Sequence, residues 1–351
     1  CSSVTDIPGE IPSREIHSLR NRSGNFTVTG YHLELSGYCS SCLPEGGPEA
    51  CVITAHDADT GREIWRTRLI PAPGEPGDET WGGIPYEQRR HVGAWMVPSF
   101  DPALNLIYLG TSVTSPAPKF MLGGADKKHL YHNSTLALDA DTGDIVWYYQ
   151  HLNDSWDLDH PFERLLVDTE VAPSSTAVSW INPRLQPGET RKVVTGIPGK
   201  TGVVYTLDRE TGEFLWATPT ITQNVISNID GETGVVSENS ELVFSGLGQE
   251  VLACPTYNGG KDWEAGAYSP LTNTMYMPLR NACARMLATS GIPGGLTTPF
   301  IVVITLPSAI NLLLALTKLG PCTPSLLKQV KQCGHTNNVQ QRCLWSPRVE
   351  D

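Results

Sequence analysis

Short apolar runs broken by Asp, Thr, Asn and Gly set the pattern of this chain, and one ten-residue form of it recurs three times. The copies are His56-Asp-Ala-Asp-Thr-Gly-Arg-Glu-Ile-Trp65, Leu138-Asp-Ala-Asp-Thr-Gly-Asp-Ile-Val-Trp147 and Leu207-Asp-Arg-Glu-Thr-Gly-Glu-Phe-Leu-Trp216. Each reads as the end of a strand, a tight turn in which Gly supplies a positive φ, and an apolar strand closing on Trp, so the phrase encodes a β-hairpin. A repeated hairpin predicts a repeated blade. Phe100-Asp-Pro-Ala-Leu-Asn-Leu-Ile-Tyr-Leu-Gly110 precedes the second copy, and Tyr268-Ser-Pro-Leu-Thr-Asn-Thr-Met-Tyr-Met-Pro278 has the same turn-then-strand form. Few stretches read as long helices. Tryptophans at one point of successive blades can dock between neighbouring sheets, so the expectation is an all-β radial repeat with Trp65, Trp147 and Trp216 buried. They stand 82 and 69 residues apart, more than the roughly 40–45 of a short-looped propeller repeat. These blades therefore carry long loops, and sites are usually built on long loops held by a rigid scaffold.

Composition agrees with a turn-rich β protein large enough to bury a core: 351 residues with 33 Gly, 27 Pro and 9 Trp. The 25 Lys+Arg against 37 Asp+Glu supply no basic footprint for phosphates, which disfavours nucleic acid as a partner. Nine cysteines are many for a reducing cytosol and point to a periplasmic or extracellular, oxidising setting. Cys39-Ser-Ser-Cys42 has no second Cys/His pair at ligand spacing, so disulfide or free thiol is preferred to zinc; Leu43 stands where a c-type haem motif needs His. Asn133-Ser-Thr is one of four segments that satisfy the glycosylation pattern. The apolar stretch 300–316 is interrupted by Pro307 and Asn311 and is at the short limit for a span, so no transmembrane segment is expected.

Six runs, taken together in order and spacing, carry a resemblance. They are Cys1-Ser-Ser-Val-Thr-Asp6, Pro73-Gly-Glu-Pro-Gly-Asp-Glu-Thr-Trp81, Gly93-Ala-Trp-Met-Val-Pro-Ser-Phe-Asp-Pro102, Trp147-Tyr-Tyr-Gln-His-Leu-Asn-Asp-Ser-Trp-Asp157, Gly199-Lys-Thr-Gly-Val-Val-Tyr-Thr-Leu-Asp208 and Asn258-Gly-Gly-Lys-Asp-Trp263. The chain resembles the quinoprotein alcohol dehydrogenases, eight-bladed β-propellers that hold pyrroloquinoline quinone (PQQ) and a metal ion on their axis. The resemblance implies about half the blades: propeller over residues 1–285, with an insertion at about 8–50, then a divergent tail over 286–351.

The resemblance also implies roles. Ser3, Trp95, Lys200 and Asp262 match cofactor-binding positions, with Trp95 as the floor beneath the quinone ring, since a flat apolar face stacks on a planar cofactor. Lys200 matches the cation that stabilises charge on the quinone oxygens. Asp262 replaces the family's usual Asn. Asp157 matches the general base that takes the alcohol proton. Asp159 lies two residues on, where an extended segment faces the same side, so Asp157 and Asp159 are expected to share a hard cation, calcium or, by the second acid, a lanthanide. Asp6 matches a Glu ligand one methylene longer, and no Asn stands in Gly110-Thr-Ser-Val-Thr-Ser-Pro116, where the family places another ligand. Cys254 and Cys283 sit where relatives often have a bridged pair, with Cys42 and Cys51 as a second expected pair.

The function implied is oxidation of a small alcohol, polyol or sugar hydroxyl by hydride transfer to the quinone, with electrons passed to a separate acceptor such as a cytochrome c. The alternative is a propeller without cofactor that serves as a protein-interaction or assembly scaffold. Convergence of Asp6, Trp95, Asp157, Asp159 and Lys200 on one pocket separates the two.

Overall fold

The computed structural model describes residues 47–114, 119–122, 127–153, 156–292, 296–304 and 311–318. Strands β1 (Val52–His56) and β2 (Glu63–Arg68) form a hairpin; β3 (Ser99–Asp101), β4 (Leu106–Gly110), β5 (Ser134–Asp139) and β6 (Ile145–Gln150) form a four-stranded antiparallel meander. The next sheet is β7 (Leu165–Glu170), β9 (Thr190–Gly196), β10 (Val203–Asp208) and β11 (Phe214–Pro219), with the short β8 (Trp180–Ile181) added at the β11 edge. Two of the three repeated phrases thus lie in sheets of four or more strands. The first forms a two-stranded sheet among the described residues.

The three hairpins share one chemistry. In the second, Asp139 Oδ1 accepts from the N–H groups of Asp141 and Thr142 at 2.9 and 3.0 Å, and Gly143 closes the turn by donating to Asp139 O at 2.8 Å. Asp57 and Asp208 do the same for the first and third. An aspartate that caps its own turn is the reason Asp stands second in each phrase. Each strand pair also shifts register one residue before the Asp-Thr-Gly turn, at Ala55/His56, Ala137/Leu138 and Thr206/Leu207, a bulge that sharpens the local twist. A fourth copy of the turn, Asp230-Gly-Glu-Thr-Gly234, joins β12 (Ile226–Ile229) to β13 (Val236–Glu238); it lacks the closing Trp.

The tryptophans latch one sheet to the next. Trp65 Nε1 donates to Ala140 O at 3.0 Å and Trp147 Nε1 to Arg209 O at 3.2 Å, both carbonyls lying inside the following turn. Trp65, Trp147 and Trp216 are all buried. The indole rings rest on the turn glycines: a Cβ on Gly143 would stand 2.5 Å from Trp65, and one on Gly212 2.7 Å from Trp147. Both glycines also have φ of 76°, whereas Gly61, at φ 71°, has nothing within 4 Å of its Cβ position among the described residues. Gly61→Ala should therefore cost only backbone strain, about 1 kcal/mol. Gly143→Ala should cost about 3 kcal/mol or more, since strain and overpacking add; urea unfolding of the two variants checks the difference.

The remaining strands are β14 (Glu250–Ala253), β15 (Ala267–Ser269), β16 (Thr274–Asn281), β17 (Ala284–Ile292), β18 (Leu296–Ile304) and β19 (Asn311–Lys318), arranged as antiparallel sheets β14-β17-β18 and β15-β16-β19. Residue 285 falls inside β17, and the apolar stretch 300–316 lies largely on β18 and β19. Among the described residues no helix is long and apolar enough to cross a membrane, and the sheets do not close into a ring. Asn133, in one of the glycosylation patterns, is fully buried at the start of β5, so the folded chain does not present it.

Candidate active site

The segment 157–164 leads into β7 and is pinned from several sides. His160 N donates to Thr111 O and His160 Nδ1 to Leu158 O, at 3.3 and 2.7 Å. Arg164, fully enclosed, donates to Phe162 O, His160 O and Thr135 Oγ1 at 2.5, 2.9 and 3.0 Å. Burial pulls this guanidinium down to about 9. Such bracing lets Asp157 hold a φ of 129°, a backbone state that non-glycine residues rarely adopt and that concentrates at functional sites.

Three of the residues singled out in the sequence meet here. Lys200 Nζ lies 3.1 Å from Asp157 Oδ2 and 3.5 Å from Asp159 Oδ2, with its side chain 9% exposed. Asp159 is fixed further: its Oδ1 accepts from Val113 N at 2.8 Å, and its carbonyl accepts from Lys200 N at 2.8 Å. Burial by itself depresses the Lys200 ammonium, but the carboxylates of Asp159 and Asp157 outweigh it and hold its pKa above the usual lysine value. Lys200 is a fixed cation at neutral pH.

Trp95 and Asp262 border this cluster. The backbones of Gly93 and Ser112 are joined by Ser112 N to Gly93 O at 2.8 Å, and Gly93 N donates to Ser112 Oγ at 2.8 Å, which sets the Trp95 segment beside the strand end that carries Val113. The Trp95 indole is 44% exposed and makes a T-shaped contact with Phe162, centroids 5.6 Å apart. Asp262 is linked electrostatically to Lys200, and burial pushes its carboxyl pKa up. Lys200 O accepts from Gly260 N at 2.7 Å, which ties the 258–264 loop to the cation's own backbone.

Ser3, Asp6 and Cys42 lie outside the described residues. Cys254 and Cys283 are bridged, with Cα atoms 4.3 Å apart, and the bridge closes the segment that contains Asn258-Gly-Gly-Lys-Asp-Trp263. Cys51 carries a free thiol whose Sγ accepts from Val92 N at 3.4 Å.

Other site features were not singled out in the sequence. Phe162, Arg164 and Lys261 are fixed by contacts between segments distant in the chain, and no local spacing marks them. Asn133 is joined by its N–H to Ser112 O at 3.1 Å, and its fully buried amide has no hydrogen bond among the described residues. His151 and His160 stack at 5.3 Å, which ties the 157–164 segment to the end of the β6 strand. Burial holds His160 down at about 3 and His151 well below the usual histidine value. Both rings are neutral in the folded chain and protonate first in the unfolded one. Their contribution to stability is thus complete above the unfolded pKa of about 6.5 and is lost progressively as pH falls below it. Urea midpoints measured from pH 7 to pH 5 should fall accordingly, and less steeply in His151→Gln.

The model of the PQQ: Glucose/ethanol/alcohol dehydrogenase, beta-propeller domain matches residues 44–233. The quinohemoprotein alcohol dehydrogenase ADH-IIG of Pseudomonas putida is 31% identical over 72% of this chain and 35% of its own length. The crystal structure of the quinohemoprotein alcohol dehydrogenase from Comamonas testosteroni superposes with a TM-score of 0.62 at 25% identity, over 77% of this chain and 42% of that one. A europium-containing methanol dehydrogenase superposes with a TM-score of 0.59 at 26% identity, over 72% and 44%. The chain spans about a third of the length of the curated relative.

Proposed function

Because the chain belongs to the PQQ-dependent alcohol dehydrogenase family and carries part of its β-propeller, we propose that it contributes the catalytic part of a quinone-dependent dehydrogenase that oxidises the hydroxyl of an alcohol, polyol or sugar. The observation that carries this is the convergence of Asp157, Asp159 and Lys200 at 3.1 and 3.5 Å beside an exposed Trp95, although the four are spread over more than a hundred residues of sequence.

The donor set fits the two groups. Trp95 offers an accessible indole surface for a planar ring, and Lys200 a buried cation for its oxygens. Asp157 and Asp159 are hard oxygen donors of the kind that calcium or a lanthanide takes. When bound, the quinone accepts the hydride and the metal acts as a Lewis acid. Asp157 receives the hydroxyl proton at Oδ2, assisted by its fixed orientation. Asp159, held by Val113 N–H, positions Lys200 and completes the negative charge that a cation needs. Phe162 and Trp95 exclude water from one side. Electrons then leave to a separate carrier such as a cytochrome c. The Cys254–Cys283 bridge and the cysteine count support a periplasmic or extracellular setting.

The test is reconstitution. Purified protein given PQQ with calcium or lanthanum should acquire bound-quinone absorbance and reduce an artificial dye with alcohol; protein that takes up neither quinone nor metal would leave the scaffold alternative standing. Asp159→Asn, which removes charge while keeping an oxygen for Val113 N–H, should reduce lanthanide-supported turnover about tenfold more than calcium-supported turnover, because the more highly charged ion depends more on the second carboxylate. Equal losses would reject the lanthanide assignment.

A further inference from the structure

Lys261 is the most enclosed cation beside the site: its side chain is 0% exposed. An ammonium has three donors and no acceptor, and burying it is costly unless each is used. All three are used here. Lys261 Nζ meets Glu163 Oε2 at 3.1 Å, Asp262 O at 2.5 Å and Glu264 O at 2.6 Å, and lies 5.0 Å above the Phe162 ring. Glu163 spends its other oxygen on Gly266 N at 2.9 Å. One side chain therefore grips both loops of the site. Its carboxylate partner and its aromatic partner sit in the 157–164 segment, and its two carbonyl partners, on Asp262 and Glu264, flank Trp263. The same Phe162 ring touches Trp95.

We propose that Lys261 is a positioning residue that locks the Trp95 segment, the 157–164 segment and the 258–264 loop into one geometry, so that the indole surface, the carboxylate pair and Asp262 are held for the same ligand. The significance for quinone binding rests on the proposed function; the locking itself does not. Arg280, bonded to Asn258 O at 3.3 Å and paired with Glu264, backs the loop from the outside but reaches neither Phe162 nor Glu163. Removing Lys261 leaves two carbonyls and a carboxylate without their common donor, and the loop loses the contact that ties it to Phe162.

The experiment uses full-length protein labelled with 5-fluorotryptophan, with the Trp95 and Trp263 signals assigned from Trp95→Phe and Trp263→Phe. In the absence of any cofactor, Lys261→Met should shift or broaden the fluorine resonances of Trp95 and Trp263 while those of Trp65, Trp147 and Trp216 stay in place. Glu163→Gln, which keeps an acceptor for Gly266 and removes only the charge, should move the same two resonances less, and it serves where Lys261→Met does not fold. Unmoved Trp95 and Trp263 signals in the folded variants would overturn the proposal. In a second arm, PQQ titrated with calcium should bind Lys261→Met at least ~10-fold more weakly than wild type, because small misplacements are amplified at a positioned site. Wild-type protein that fails to bind PQQ, with the fluorine shifts present, would overturn the quinone reading and leave the lock standing.

Discussion

Asp157→Asn should lower kcat of the reconstituted enzyme by about 10²–10⁴, the usual worth of a positioned general base, while bound-quinone absorbance is retained. The reason is geometric. Asp157 approaches Lys200 through Oδ2, so an amide of the same shape keeps the contact that orders the side chain but cannot accept the proton. The KM for alcohol should change far less than kcat, since proton transfer belongs to the transition state. A loss of quinone binding in this variant would mean that Asp157 holds the site together rather than acting on substrate.

Lys200→Met should produce opposite changes in two measurements. Turnover should fall about 10²–10³, as expected when a preorganised charge is withdrawn from the position where negative charge develops. Affinity for a lanthanide alone, followed by terbium luminescence, should rise at least ~10-fold, because Asp157 and Asp159 then face each other without their internal counter-ion. A merely structural lysine would weaken both. If terbium binding falls with turnover, Lys200 does not compete with the metal for these carboxylates, and the charge balance described for the site is wrong.

The sequence made the hairpins legible because a turn is a local object. Asp139 caps residues two and three positions on, Gly143 has the φ that the turn needs, and Trp147 stands at a fixed offset, so the phrase can be recognised without knowing its surroundings. The fourth turn, at Asp230, lacks the Trp that marks the other three, and it is instead met by Tyr149, whose hydroxyl donates to Gly234 O at 2.7 Å. Asp157, Asp159 and Lys200 were legible through the resemblance, and Lys200 Nζ lies 3.1 and 3.5 Å from the two carboxylates although it is more than forty positions from the aspartates. Lys261 and Phe162 were not. Lys261 partners Glu163 from 98 positions away, and a pairing created by two loops crossing has no periodicity, spacing or composition to betray it.

The tryptophan latches have a direction. Trp65 reaches forward to the turn at Ala140, and Trp147 forward to the turn at Arg209, so the middle repeat presents a plug on one side and a socket on the other. Two such faces are complementary to each other but not to themselves. An interface of this kind is heterologous, head to tail, and a heterologous interface has only two outcomes: it closes on itself as a ring or it continues into the next unit. The ring of a propeller is thus the solution by which a polar stack of sheets avoids becoming a fibre.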